Sequence, residues 1–231
     1  MELINGFFRK DRNTFILDNG KKFDVRQLII ESILYIPKQS NIQLNTDYVG
    51  LFLADLDGKL SINAKSGYLQ ANYVKEVSAN IQNFNADFKN VDKMTINASY
   101  SSISATSINN LEVGSLELKS KRKESVGLFG DDDNNHALSF SNKYRIEKID
   151  RLKIRETGSD AFNLGEVQHF DGINSSFSNF HIKKIAESFE ISGKNGDVTI
   201  YEVATNFEKI KIDNQISTVE LNMQTANDFQ V

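Results

Sequence analysis

The densest cluster of side chains able to do chemistry is Asp131-Asp132-Asp133, followed at once by Asn134, Asn135 and His136. Clustered oxygen ligands suit a hard cation such as calcium. The run lacks the spaced ligand pattern of a calcium loop, and a string of acidic residues is ordinarily a solvated surface loop, so no metal site is assigned to it. His136, His169 and His181 share no metal-ligand spacing. A polysaccharide-cleaving enzyme needs two carboxylates poised together on one face. Asp87, Asp92, Glu147, Glu156, Asp160, Glu166, Asp171 and Asp197 are instead scattered, with no paired column. Cysteine is absent, which removes disulfides, thiolate metal sites and a cysteine nucleophile together. No G-x-S-x-G, Walker loop or dinucleotide fingerprint occurs. The residues therefore point to no catalytic, cofactor-binding or metal-binding set, and to no cofactor.

Bulk properties narrow the class further. Of 231 residues, 39% are apolar and 25% charged, enough to build a core and too apolar for disorder by composition. The net charge of −4 is too mild to call for a polyanion, and no basic patch with interleaved aromatics exists, so nucleic acid is not an expected partner. No uninterrupted apolar run approaches the ~20 residues of a membrane span. The opening residues MELINGFFRKDRNTF also lack the apolar core of a signal peptide. The expectation is a mature or excised piece of an envelope protein.

What must position any site is a repeat. Leu60, Val77 and Met94 stand seventeen residues apart, as do Ile62, Ala79 and Ile96; Ala64, Ile81 and Ala98; Leu69, Ala86 and Ile103; Ala71, Phe88 and Ala105; and Val74, Val91 and Ile108. These are six apolar columns at offsets 0, 2, 4, 9, 11 and 14. Offsets 0, 2 and 4 put alternate side chains on one face of a strand, and 9 and 11 do so on a second. A fixed period near twenty residues marks a solenoid, whose units bury their apolar faces only against neighbours. Ile42, Leu44, Thr46, Leu51, Leu53 and Leu56 make an earlier copy. Asn45, Asn63, Asn80 and Asn97 all fall at offset 3, outward, where stacked amides form a structural ladder.

Elsewhere the template bends. Phe15 to Phe23 around Asp18-Asn19-Gly20 predicts a hairpin, read as a cap on the first coil, the alternative being a small strand pair packed on one side. After Asn110 the register breaks, and the next coil is placed at Leu116 in preference to Leu111, with Asn109 to Ser115 as a corner loop. Lys121 to His136 is an irregular insertion, predicted to project as a mobile loop, and Leu138, Phe140, Ile146 and Ile149 follow as a shortened coil. Leu152, Ile154, Phe162 and Leu164 begin a new run; Ile173, Phe180, Ile182 and Ile185 continue it. Phe189, Ile191, Gly193, Val198, Ile200 and Val203 match all six offsets, and Ile210, Ile212, Val219 and Leu221 end it. The expected organisation is a capping hairpin and lead-in strand over residues 1–40, then an all-β solenoid over 41–231 with coils of 17–18 residues, interrupted near 121–136.

The stretches YIPKQSNIQLNTDYVGLFLADLDGKLSI and FEISGKNGDVTIYEV resemble the adhesin-type β-solenoid repeats of bacterial envelope proteins. The resemblance covers roughly residues 30–223. It implies a right-handed single-stranded β-helix, an envelope location in the periplasm or on the outer surface, and no known catalytic residues. The function expected is a non-catalytic, adhesin-like module serving as scaffold or binding surface for an envelope glycan or protein ligand. The alternatives are a cytoplasmic β-helical polymer of the bactofilin type and a polysaccharide-acting β-helix enzyme.

Overall fold

The computed structural model describes residues 14–16, 22–24, 33–115, 141–205 and 207–223. The chain divides into two compact units, residues 1–36 and 37–231. In the first, β1 (Thr14–Ile16) and β2 (Lys22–Asp24) pair antiparallel with Phe15 opposite Phe23, the hairpin that Asn19-Gly20 predicts.

The second unit is a β-solenoid of about eight coils, every pairing in it parallel. Its strands are β3 (Ile42–Thr46), β4 (Val49–Ala64), β5 (Gly67–Gln82), β6 (Phe84–Ser99), β7 (Ser102–Ser115), β8 (Lys143–Ile154), β9 (Thr157–Gly158), β10 (Ala161–Ser176), β11 (Asn179–Lys194), β12 (Val198–Ile200), β13 (Lys209–Gln215) and β14 (Val219–Leu221). The sixteen-residue strands carry the second strand of one coil around a bend into the first strand of the next.

The six predicted columns stack in register. Ile62 pairs with Ala79 and Ala79 with Ile96, and all three are buried. Ala71, Phe88 and Ala105 stack likewise, the ring using the space that the two alanines leave free. Alternation explains why the inward rows are apolar and the outward rows polar: successive side chains in a strand point to opposite faces.

Three placements differ from the expectation. The coil after Met94 begins at Leu111, not Leu116: Met94 pairs with Leu111 and Ile96 with Val113. Leu111 next pairs with Leu152, 41 positions on, where other neighbouring coils step by 17 to 21. Ser115 thus ends the first strand of a coil whose second strand is Tyr144, Ile146 and Ile149, so these are not a separate shortened coil. Residues 116–140, including the predicted projecting loop, lie outside the described residues. Finally, Phe170 rather than Ile173 fills the first inward position of its coil, opposite Leu152 and Phe189, and Ile173 is exposed. Glycine at position 172 occupies the second inward position, which hid the match.

Corners repeat as strictly as strands. Asn83, Tyr100, Ser159, Phe177, Asn195 and Ile216 all take positive φ, between 51° and 60°, at one turn of successive coils. Left-handed backbone is costly for residues with a Cβ. Here hydrogen bonds to the next coil hold it, from Asn83 N to Ser99 O, Ser159 N to Ser176 O, Phe177 N to Lys194 O and Asn195 N to Gln215 O, each 2.9–3.1 Å. The turn can therefore do without a glycine in most copies.

Candidate binding groove

Two outward rows flank the inward row of Leu53, Ala71, Phe88 and Ala105. One is Phe52, Gln70, Asp87 and Ser104; the other is Ala54, Asn72, Lys89 and Thr106. Because the side chains between them turn inward, the rows enclose a shallow groove of about 620 Å³ along the stacking direction. It is lined by Phe52, Gln70, Asn72, Asp87, Lys89 and Thr106 over four coils. At its N-terminal end Phe52 is 69% exposed and meets the Tyr68 ring edge-on, centroids 5.5 Å apart. Tyr68 in turn lies over Gly50, where a Cβ would come within 2.5 Å of its Cζ. The Ser104 hydroxyl donates to Asp87 at 2.8 Å, which fixes the carboxylate in the groove wall.

A second constellation is buried. Ser101, Asn142, Asp160 and Ser178 occupy one corner in successive coils, with Ser101, Asp160 and Ser178 directly after the left-handed residues Tyr100, Ser159 and Phe177, and each offers an oxygen to the backbone N–H of the equivalent residue one coil earlier. Phe84 N donates to Ser101 Oγ (3.2 Å), Ser101 N to Asn142 Oδ1 (3.0 Å), Asn142 N to Asp160 Oδ1 (2.7 Å) and Asp160 N to Ser178 Oγ (3.2 Å). Asn142 Nδ2 also donates to Ala98 O and to Asp160 Oδ1. Buried polar groups must be paired, and this column does so at the corner where the chain rejoins the stack after 116–140. Burial pushes the Asp160 carboxyl up to about 7, although its hydrogen bonds from Asn142 and Gly158 act the other way. Beside it, burial holds the Tyr144 hydroxyl well above its ordinary range. That hydroxyl has no hydrogen-bond partner among the described residues.

Of the side chains singled out by type, Asp131 to Asp133, Asn134, Asn135 and His136 lie outside the described residues. His169 contacts Ser188 and Glu187, at 3.0 and 3.2 Å, while His181 is exposed twelve residues on, on another face. Among the described residues no group of three or more His, Asp or Glu is arranged to hold a metal. Asp92 accepts from Tyr73 at 2.7 Å, which pushes the Tyr73 hydroxyl up to about 12. Asp171 faces Glu190 across neighbouring strands, but Lys153 flanks it on the other side. Lys209 sits 2.8 Å from Glu190 and holds that carboxyl below its ordinary value, the opposite of what a general acid requires. Asp87 and Glu147 share the groove face two coils apart but in different rows, a backbone separation of about 12 Å at ordinary strand spacing and rise. Glu166 lies between Lys148 and Lys184, and Asp197 caps Thr218 N at 3.0 Å.

The amide ladder is in register from Asn45 through Asn63 and Asn80 to Asn97, with Asn97 Nδ2 donating to Asn80 Oδ1 at 2.8 Å. Sequence reasoning missed the groove and the corner column alike. Phe52 could have been found, because Leu51 and Leu53 on either side turn inward and alternation sends the ring between them out. Among the described residues no helix is long and apolar enough to cross a membrane. No family model, curated protein or solved structure matches the chain, so its chemistry is read from the stack, the groove and the corner column themselves.

Proposed function

We propose that this chain is a non-catalytic β-solenoid module of the bacterial cell envelope, adhesin-like in repeat type, that serves as a stiff scaffold and binding surface. The observation that carries the reading is the outward wall. It consists of in-register polar rows and an aromatic-edged groove, and several of its carboxylates are paired, Glu76 with Lys59, Asp87 with Ser104, Asp92 with Tyr73 and Glu190 with Lys209. Such a wall offers many weak contacts over a long rigid face, the property of a docking surface. A catalytic centre would need convergent groups with displaced proton affinities, and among the described residues the one carboxylate pushed far up, Asp160, is sealed in a corner.

The test is to incubate the full chain with glycan and extracellular-matrix protein panels, recording retention and analysing products by mass spectrometry. Retention of a ligand without turnover is the expected result. Release of shortened oligosaccharides would overturn the reading in favour of an enzyme. Fractionation of cells that express the natural gene should place the protein in the envelope, and recovery with cytoplasmic filaments would contradict that location.

A further inference from the structure

We infer that the groove edged by Phe52 and Tyr68 binds a β-linked polysaccharide lying across the coils. One pyranose ring stacks on Phe52, and the following sugars bond to Gln70, Asn72 and Asp87. The assignment rests on the reading of the chain as a non-catalytic binding module and names the ligand class of its wall.

The aromatic end is built. Phe52 leaves most of its ring in water, against the tendency of large apolar groups to be covered. It is held there by the edge of Tyr68, and Tyr68 is seated on the bare backbone of Gly50. A fixed, exposed aromatic face matches the C–H face of a pyranose, and ring C–H groups favour the negative face of an aromatic quadrupole. The rest of the groove supplies what sugar hydroxyls need, both donors and acceptors along its two walls. The Gln70 and Asn72 amides offer each, Asp87 accepts, Lys89 donates and Thr106 does either.

Direction and length fit as well. The groove follows the stacking axis over four coils, so three strand spacings of ~4.8 Å give about 14 Å, room for about three sugars of an extended β-linked chain. A peptide adding as a strand is disfavoured, because strand addition requires an unpaired edge. The groove floor at Ala71 and Phe88 is already paired on both sides. A polyanion is disfavoured because Asp87 and Lys89 face it with opposite charge.

The test titrates the full chain calorimetrically with two probes, the β-1,4-linked hexasaccharides of N-acetylglucosamine and of glucose, while products are followed by mass spectrometry. Saturable binding of at least one is expected. Phe52→Ala should weaken it roughly threefold to tenfold, with an unchanged melting curve because the ring lies outside the core. Gly50→Ala, which drives the Tyr68 ring from its seat, should weaken it too, and Phe52→Trp should preserve it. Absence of binding to both hexasaccharides would overturn the inference. So would affinities unchanged in both Phe52→Ala and Gly50→Ala, although binding of that kind would leave the binding-module reading standing. Cleavage of the probe would overturn the non-catalytic reading itself, while the two variants would still report whether the groove is occupied.

Discussion

The two halves of the solenoid solve the same packing problem with different side chains. From Leu60 to Val113 the coils step by 17 residues, and the interior is mostly aliphatic: Leu60, Val77, Met94 and Leu111 fill one column, and the buried rings are Phe84 and Phe88, the latter between two alanines. From Tyr144 to Ile200 the steps lengthen to 18 or 19 and the interior turns aromatic. Tyr144, Phe162 and Phe180 stack with centroids 4.5 and 4.7 Å apart, and Phe170 packs on Phe189. The added residue enters a corner: eight positions separate Ile154 from Phe162, where seven separate Ile96 from Ile103. That corner is where Asp160 and Ser178 are buried. Outside, the contrast reverses. The first half carries the aromatic and amide groove, whereas the second presents an alternating row of Lys148, Glu166, Lys184 and Glu202, with Lys184 and Glu202 2.9 Å apart. One half thus has a specialised wall on a plain core, and the other a plain wall on a specialised core.

The sharpest way to break this contrast is in the aromatic stack. Phe162→Ala should cost near ~5 kcal/mol, since it opens a cavity and loses two ring–ring contacts worth about 0.5–1.5 kcal/mol each. Phe88→Ala, between alanines, should cost nearer ~3 kcal/mol. Urea denaturation midpoints compare the two, and equal losses would mean that the ring stack adds nothing beyond burial.

The buried corner gives the next largest effect. Asp160 carries a carboxyl pushed up to about 7 from an ordinary 3.8. Below pH ~4 folded and unfolded chains both hold its proton. Between ~4 and ~7 the unfolded chain releases the proton and the native chain keeps it, so this group's contribution falls as pH rises through that window and is level above it. Asp160→Asn keeps an acceptor for Asn142 and removes the charge. It should raise stability by on the order of 4 kcal/mol at most at pH 8 and by almost nothing at pH 3.5. A gain of the same size at both pH values would show that charge is not the cause.

In the first half the corner depends on Ser101 instead. Ser101→Ala leaves Phe84 N without its acceptor and should cost about 1–3 kcal/mol, measured as a shift in melting temperature. Smallest of all, Asn97→Ala removes one exposed rung of the amide ladder and should cost ~0.5 kcal/mol or less. A larger loss there than at Ser101 would invert the account of which polar column supports the stack.

How much of this was legible in the sequence follows from the same contrast. Columns such as Ile62, Ala79 and Ile96 were readable because two periods coincide, alternation within a strand and 17 residues between coils. Leu111 was passed over because Leu116, Leu118 and Ser120 imitate the start of a copy, and because its coil's second strand resumes only at Tyr144. Asp160 and Ser178 were unreadable as interior residues, since runs of small polar residues such as Gly158-Ser159-Asp160 and Ser175-Ser176-Phe177-Ser178 signal an exposed corner, and only the stacked N–H groups make them buried acceptors. The groove needed the third dimension: Gln70, Asp87 and Lys89 are ordinary outward residues until stacking aligns them behind Phe52.

The groove proposal places the ligand on the wall of the first half. Hydrogen–deuterium exchange of the full chain, with and without the β-1,4-linked N-acetylglucosamine or glucose hexasaccharide that binds, tests it most directly. Slower exchange over residues 50–54, 68–72 and 85–89, with no change over 161–167 and 179–185, is the predicted result. Protection confined to the second half, or none in either half, would contradict it.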